Sequence, residues 1–163
     1  MNPEARRRAL AWLAQRALTQ NELTDRLKRR GFSAEDIQAI IEDFSRRHWL
    51  DDDVVAAQYA QSLLDRRHWG PGQIKAHMHR RGLSWNIIEK VCGELCRTIN
   101  WQDIAMHLVK RYDMNDGRDQ RRAAAMLARQ GFSSALIHQV VHGVSDNEFL
   151  WEQEGEDDGS ENY

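Results

Sequence analysis

The side chains with most chemistry in them are arginines, and they come in short runs. Arg6-Arg7-Arg8, Lys28-Arg29-Arg30, Arg46-Arg47, Arg66-Arg67, His79-Arg80-Arg81 and Arg121-Arg122 are clustered, while Lys75 and Arg129 stand apart. Guanidinium groups grip phosphate and carboxylate oxygens in bidentate pairs, so a row of such runs on one side of a molecule suits nucleic acid or an acidic protein groove. Trp49, Trp69 and Trp85 lie beside these charges. Trp69 aligns with Leu18 and reads as core, whereas Trp85 follows a helix cap and is expected at the surface, where a tryptophan near arginines suits a protein interface or base stacking.

The remaining reactive side chains read as structure. Asp51-Asp52-Asp53 stand together at a helix start, where consecutive residues point in different directions, so Asp52 or Asp53 is expected to cap that helix. His138 and His142 are four apart on one helix but lack the third and fourth ligands zinc requires. Cys92 aligns with Ile41 and Val141 and reads as a small core residue, and Cys96 as half exposed; their spacing does not suit a disulfide. The glycines terminate helices and form neither a phosphate-binding loop nor a nucleophile elbow. No enzyme, metal or cofactor is expected.

What positions the charges is a repeat. ELTDRLKRRGFSAEDIQAII from Glu22 returns as QIKAHMHRRGLSWNIIEKVC from Gln73 and RRAAAMLARQGFSSALIHQVV from Arg121. Gly31, Gly82 and Gly131 lie 51 and 49 residues apart, each followed by a large apolar residue and then Ser33, Ser84 or Ser133. This is a helix–turn–helix unit: the glycine takes the left-handed C′ position and the serine caps the next helix. Thr19 and Glu22 have the spacing of a capping box, Pro71 and Gln73 hold the first helical and capping-box positions of the second copy, and Asp119 opens the third. The stripe Ile37, Ile40, Ile41, Phe44 becomes Ile88, Val91, Cys92, Leu95 and then Ile137, Val140, Val141, Val144. An earlier helix, Pro3 to Leu18 with Ala5, Ala9, Trp12 and Leu13 on one face, recurs as Ala56, Tyr59, Ala60, Leu63 and as Ala105, Leu108, Val109, Tyr112. Each unit is therefore three helices. A helix dipole accounts for one cation at a helix end, not for the three of Lys28-Arg29-Arg30.

The expected fold is all-α: three tandem three-helix repeats at 1–48, 49–98 and 99–151, stacked into an elongated, curved body in which each unit supplies an apolar face its neighbour lacks. With 41% hydrophobic residues the chain has enough apolar surface for a core, and only two prolines interrupt it. Residues 152–163 hold six acidic side chains and no basic one and are expected to be disordered. The other 151 residues keep all 23 Lys and Arg against 19 of the 25 Asp and Glu, so a body of net charge +4 carries an acidic tail. No run approaches the roughly 20 apolar residues of a spanning helix, and the start has no cleavable leader pattern, which points to a cytoplasmic protein.

Three stretches resemble a known family. Glu22-Leu23-x3-Leu27-x3-Gly31-Phe32, the junction Trp49-Leu50-Asp51-Asp52 with Tyr59-Ala60 behind it, and Gly70-Pro71-x2-Ile74-x3-Met78-x3-Gly82-Leu83 are similar to the RecX family of regulatory proteins, modulators of the RecA recombinase. The likeness runs from about Ala9 to Val141 and is strongest in the second repeat. His48-Trp49 stands where the family often has a glycine, Met78 where it usually has leucine, and the acidic tail has no counterpart. The resemblance implies tandem three-helix repeats, as periodicity does. It also implies binding to the RecA filament and inhibition of its ATPase, strand exchange and extension, modulating recombination and DNA repair. The candidate contacts are then Lys28, Arg29, Arg30, Arg46, Arg47, Arg66, Arg67, Lys75, Arg80, Arg81, Trp85, Arg121, Arg122 and Arg129, on a monomer. The competing reading is a helical-repeat protein acting directly on single- or double-stranded DNA.

Overall fold

The computed structural model describes residues 2–143; Val144, Ser145, Trp151 and the acidic stretch 152–163 lie outside the described residues. Among the described residues there are nine α-helices and no strand. They are α1 (Pro3–Gln15), α2 (Gln20–Arg29), α3 (Ala34–Arg46), α4 (Asp52–Arg67), α5 (Pro71–Arg80), α6 (Trp85–Thr98), α7 (Trp101–Val109), α8 (Gly117–Arg129) and α9 (Ser134–His142). None is long and apolar enough to cross a membrane.

The turn after each middle helix follows from its glycine. Gly31, Gly82 and Gly131 have φ of 81°, 83° and 86°. In the first copy Gly31 N–H donates to Lys28 O at 2.9 Å and Phe32 N–H to Leu27 O at 3.4 Å, the two bonds of a Schellman motif, and the other copies repeat them. Ser33, Ser84 and Ser133 then accept from Asp36, Ile87 and Leu136 N–H. His48 holds the same left-handed place after α3, with φ of 56°, His48 N–H on Ser45 O and Trp49 N–H on Phe44 O. That turn therefore keeps the conformation a glycine would favour, at the strain of a side chain there.

Some helix starts take caps that spacing left unassigned, and others take caps different from those expected. Asn2 and Asn100 cap α1 and α7. The cap of α4 is Asp51, whose Oδ1 accepts from Asp53 and Val54 N–H at 3.0 and 3.2 Å; Asp52 instead accepts from Gln20 N–H at 2.9 Å, at the start of α2. Gln73 makes no capping box, because its N-cap Gly70 has no side chain to reciprocate, and its Nε2 donates to Arg129 O at 2.9 Å. Asp116 rather than Asp119 caps α8, which has 13 residues where α2 and α5 have 10, so Asp119 falls inside the added turn. Finally, α1 stops at Gln15, and Arg16 is extended.

Helix packing runs within α1–α3, α4–α6 and α7–α9, and each trio closes its own core. Ala5, Leu23, Leu27, Ile40 and Phe44 are fully buried in the first, Ala56, Ala60, Ile74, Met78 and Ile88 in the second, and Ala105, Ala123 and Leu127 in the third. Leu18 and Leu50 close the first core from beyond its helix ends. The stripes are therefore satisfied inside each bundle rather than by a neighbour's apolar face. Among the described residues Trp101 and Ile104 pack against two cores, the second and third.

The bundles meet end to end instead. The turns closing α5 and α8 dock on the start of the middle helix before them: Thr19 Oγ1 donates to Arg81 O at 3.3 Å and Asn21 Nδ2 to Gly82 O. At the next junction Gly70 N–H donates to Gln130 O at 2.8 Å and Gly72 N–H to Gly131 O at 3.0 Å. Thus α2, α5 and α8 form a series in which the negative end of one helix dipole meets the positive end of the next.

Candidate functional site

Where the first bundle meets the second, a groove of about 940 Å³ opens between the end of α1, α2, α4 and α5. Spacing explains its lining. His77 and Arg80 on α5 and its C-cap Arg81 fall at i, i+3, i+4 and share a face; on α4, Tyr59, Ser62 and Arg66 fall at i, i+3, i+7 and share another; Arg16 and Glu22 come from the first bundle.

Arg81 holds the groove together. Its Nε donates to Glu22 Oε1 at 3.1 Å, its Nη2 to Ala17 O at 2.9 Å, and its guanidinium lies 4.5 Å from the Tyr59 ring centre. With its side chain only 16% exposed, it ties the second bundle to the first and is not a free surface cation. Glu22 also accepts from Arg16 Nη2 at 3.1 Å and Thr19 N–H at 3.0 Å, the second bond completing the capping box. Burial pushes the Glu22 pKa up, but the bonds from Arg81 and Thr19 and the Arg81 charge outweigh it and hold the carboxyl below its ordinary range. Asp52, on the rim of the same junction, goes the other way: burial raises its pKa, the Gln20 N–H opposes, and Asp51 and Asp53 add to the rise.

Among the described residues this lining thus holds four guanidinium groups and one carboxylate, Glu22, which bonds two of them. Arg66 and Arg80 are exposed and make no ion pair among the described residues. His77 packs against Trp69 with ring centres 4.2 Å apart and planes tilted by 37°, and its pKa is lowered by burial first and then by the charges of Arg80 and Arg67.

The other sequence candidates lie elsewhere. Lys28, Arg29 and Arg30 are exposed at the Gly31 turn, and Arg46 at the end of α3. Arg47 bonds Asp43 at 2.9 Å and lies over Trp49, and Arg67 lies over Trp69. Lys75 is bound by both oxygens of Glu89 at 2.9 Å and lines a second hollow, of about 580 Å³, with Cys96, Trp101 and Phe132. Arg122 reaches Asp119 at 3.4 Å, while Arg121 and Arg129 are exposed. Trp85 is 52% exposed and stacked on His79 at 4.7 Å, whereas Trp69 is half-buried against the second core, both as expected. Arg16, outside every run, is the groove residue that clustering passes over; its signal is a lone cation just before a capping box. Cys92 is buried and Cys96 exposed. The rings of His138 and His142 are 4.9 Å apart, and no group of three metal-ligating side chains occurs among the described residues.

Comparison with known proteins falls on the same two bundles. A family model described as RecX, first three-helix domain, matches residues 5–44, and RecX, second three-helix domain, matches 51–91. The chain is 31% identical to the regulatory protein RecX of Stenotrophomonas maltophilia over 141 residues, covering 82% of this chain and 83% of that one. It is 29% identical to that of Pelodictyon phaeoclathratiforme, covering 90% and 95%. Against the RecX of Streptococcus uberis it is 27% identical but spans only 54% of that relative's length. In fold it is similar to the crystal structure of RecX from Lactobacillus salivarius, with a TM-score of 0.77 at 20% identity over 85% of this chain and 93% of that one. The extent of these matches, on a chain folded as tandem three-helix bundles, shows that it belongs to the RecX family of regulatory proteins.

Proposed function

We propose that this chain binds the RecA filament on DNA and restrains it, lowering its ATPase, strand exchange and extension and so modulating recombination and repair. Membership of the RecX family, on a relative matched over 83% of its length, carries the reading. The shape supports it. Three bundles in series present cations at separate places, so each contributes a weak contact and the linked set binds by effective concentration. The cations free to do this include Lys28, Arg29, Arg30, Arg46, Arg66, Arg80, Arg121 and Arg129, all exposed, with Trp85 as the aromatic contact. Arg81, occupied within the chain, acts by holding two bundles in register.

The test is RecA's single-stranded-DNA-dependent ATPase with this protein added well below one per RecA. A fall in rate is expected, weakened when Lys28, Arg29 and Arg30 are all changed to glutamate. An unchanged rate at stoichiometric protein overturns the reading. The unpaired arginines also favour direct DNA binding. Tight binding to bare duplex with a steep salt slope would select that alternative.

A further inference from the structure

We propose that the groove between the first two bundles is a phosphate-binding cleft, with Arg16 reaching in from the first bundle and Arg66 and Arg80 from the second. The charge balance is the first ground. Among the described residues Glu22 is the one carboxylate in the lining and already serves Arg16 and Arg81, which leaves Arg66 and Arg80 without an ion-pair partner there. A groove lined mostly by charge of one sign raises the local concentration of an anion. His77 in the same wall is depressed by burial first and then by the charges of Arg80 and Arg67, of which Arg80 lines the cleft.

Geometry is the second ground. Lysine is absent from the lining, and guanidinium forks match phosphate oxygens two at a time. A tetrahedral anion can meet cations from two walls at once, which a flat carboxylate does less well. At about 940 Å³ the cleft admits a pyrophosphate or a short run of phosphodiester backbone. The bundle junction has no apolar core across it, so an anion bridging Arg16 to Arg66 and Arg80 would add to the few bonds fixing the two bundles.

The site is read on the isolated full chain, so its failure and that of the filament reading are separate results. Binding is measured by titration calorimetry at low salt with inorganic pyrophosphate, and then with a single-stranded oligothymidylate competing. Wild type should bind pyrophosphate, and Arg66→Ala with Arg80→Ala should weaken it by at least about tenfold, the scale of losing one charged hydrogen bond. Arg111→Ala with Arg118→Ala removes the same charge from the third bundle, outside the cleft lining, and should leave affinity within about twofold, as a screened remote charge would. Displacement of pyrophosphate by the oligonucleotide assigns the ligand as nucleic-acid backbone, and its absence as a free phosphate compound. Equal losses in the two double variants, both folded by circular dichroism, or no pyrophosphate binding by wild type, overturn the proposal.

Discussion

Alanine at the three turn glycines separates the cost of a left-handed backbone from the cost of a broken junction. All three have nearly the same φ, so the conformational penalty is common to them, about 1 kcal/mol net once the stiffer unfolded chain is counted. Their surroundings differ. No atom lies within 4 Å of a Cβ built on Gly31, so Gly31→Ala carries that penalty alone. On Gly82 the Cβ meets Asn21 Cβ at 2.9 Å, and a shift there loosens the Asn21 bond to Gly82 O, adding about 1 kcal/mol. On Gly131 it would stand 2.3 Å from the Gln73 backbone nitrogen, which no rotamer relieves. The turn must lift off α5, losing the bonds from Gly70, Gly72 and Gln73, so Gly131→Ala should cost about 3 kcal/mol more than Gly31→Ala. Urea unfolding followed by circular dichroism at constant m-value reads the order. A Gly131→Ala variant no less stable than Gly31→Ala would show that the end-to-end docking is not formed.

Acid should weaken the first junction through Glu22. Its charged form is favoured in the fold, so the stability it contributes is present above the ordinary carboxylate pKa and lost as pH falls through the lowered value. The gap in melting temperature between wild type and Glu22→Gln should therefore shrink from pH 7 to pH 3, and a constant gap would refute the assignment. Asp52 has the opposite sign, since a raised pKa makes its charged form the disfavoured one and stability falls as pH rises through the interval. Asp52→Asn keeps an acceptor for Gln20 N–H without the charge and should melt no lower than wild type at neutral pH. A large drop there would mean that the charge itself holds α2. For the thiols, one fast equivalent of a disulfide reagent is expected in the native state, at exposed Cys96. Burial pushes Cys92 up to about 11, and it should react only on unfolding; two fast equivalents would place Cys92 at the surface.

Periodicity reveals what is local. Leu23 and Leu27 at i, i+4, the Ile37–Phe44 stripe and the Gly–Ser turns each report a constraint satisfied within a few residues, and all are found buried or capped where spacing places them. It overreaches by treating apolar stripes as faces for neighbours. The stripes of α1 to α3 meet one another, and the first junction is made by polar groups at helix ends.

Those polar groups are hard to read because each has an obvious local use that fills its place first. Gln73 sits where a capping box would want it, yet a box needs a hydroxyl at the N-cap and Gly70 has none, so the amide is free to reach Arg129 O. That missing hydroxyl is the legible sign. The aspartates carry a similar one: α4 needs one cap, Asp51 supplies it, and the next carboxylate must look for donors in another helix, which the open start of α2 provides. Arg81 likewise looks like the end of a basic run, but the partner that removes it from the surface, Glu22, is itself a capping residue 59 positions away. A charge count along the chain cannot separate Arg80 from Arg81, although one lines the groove unpaired and the other is bonded across it. The groove therefore becomes visible only once end-to-end docking is known, because its two walls belong to different repeats and its lone carboxylate is shared between them.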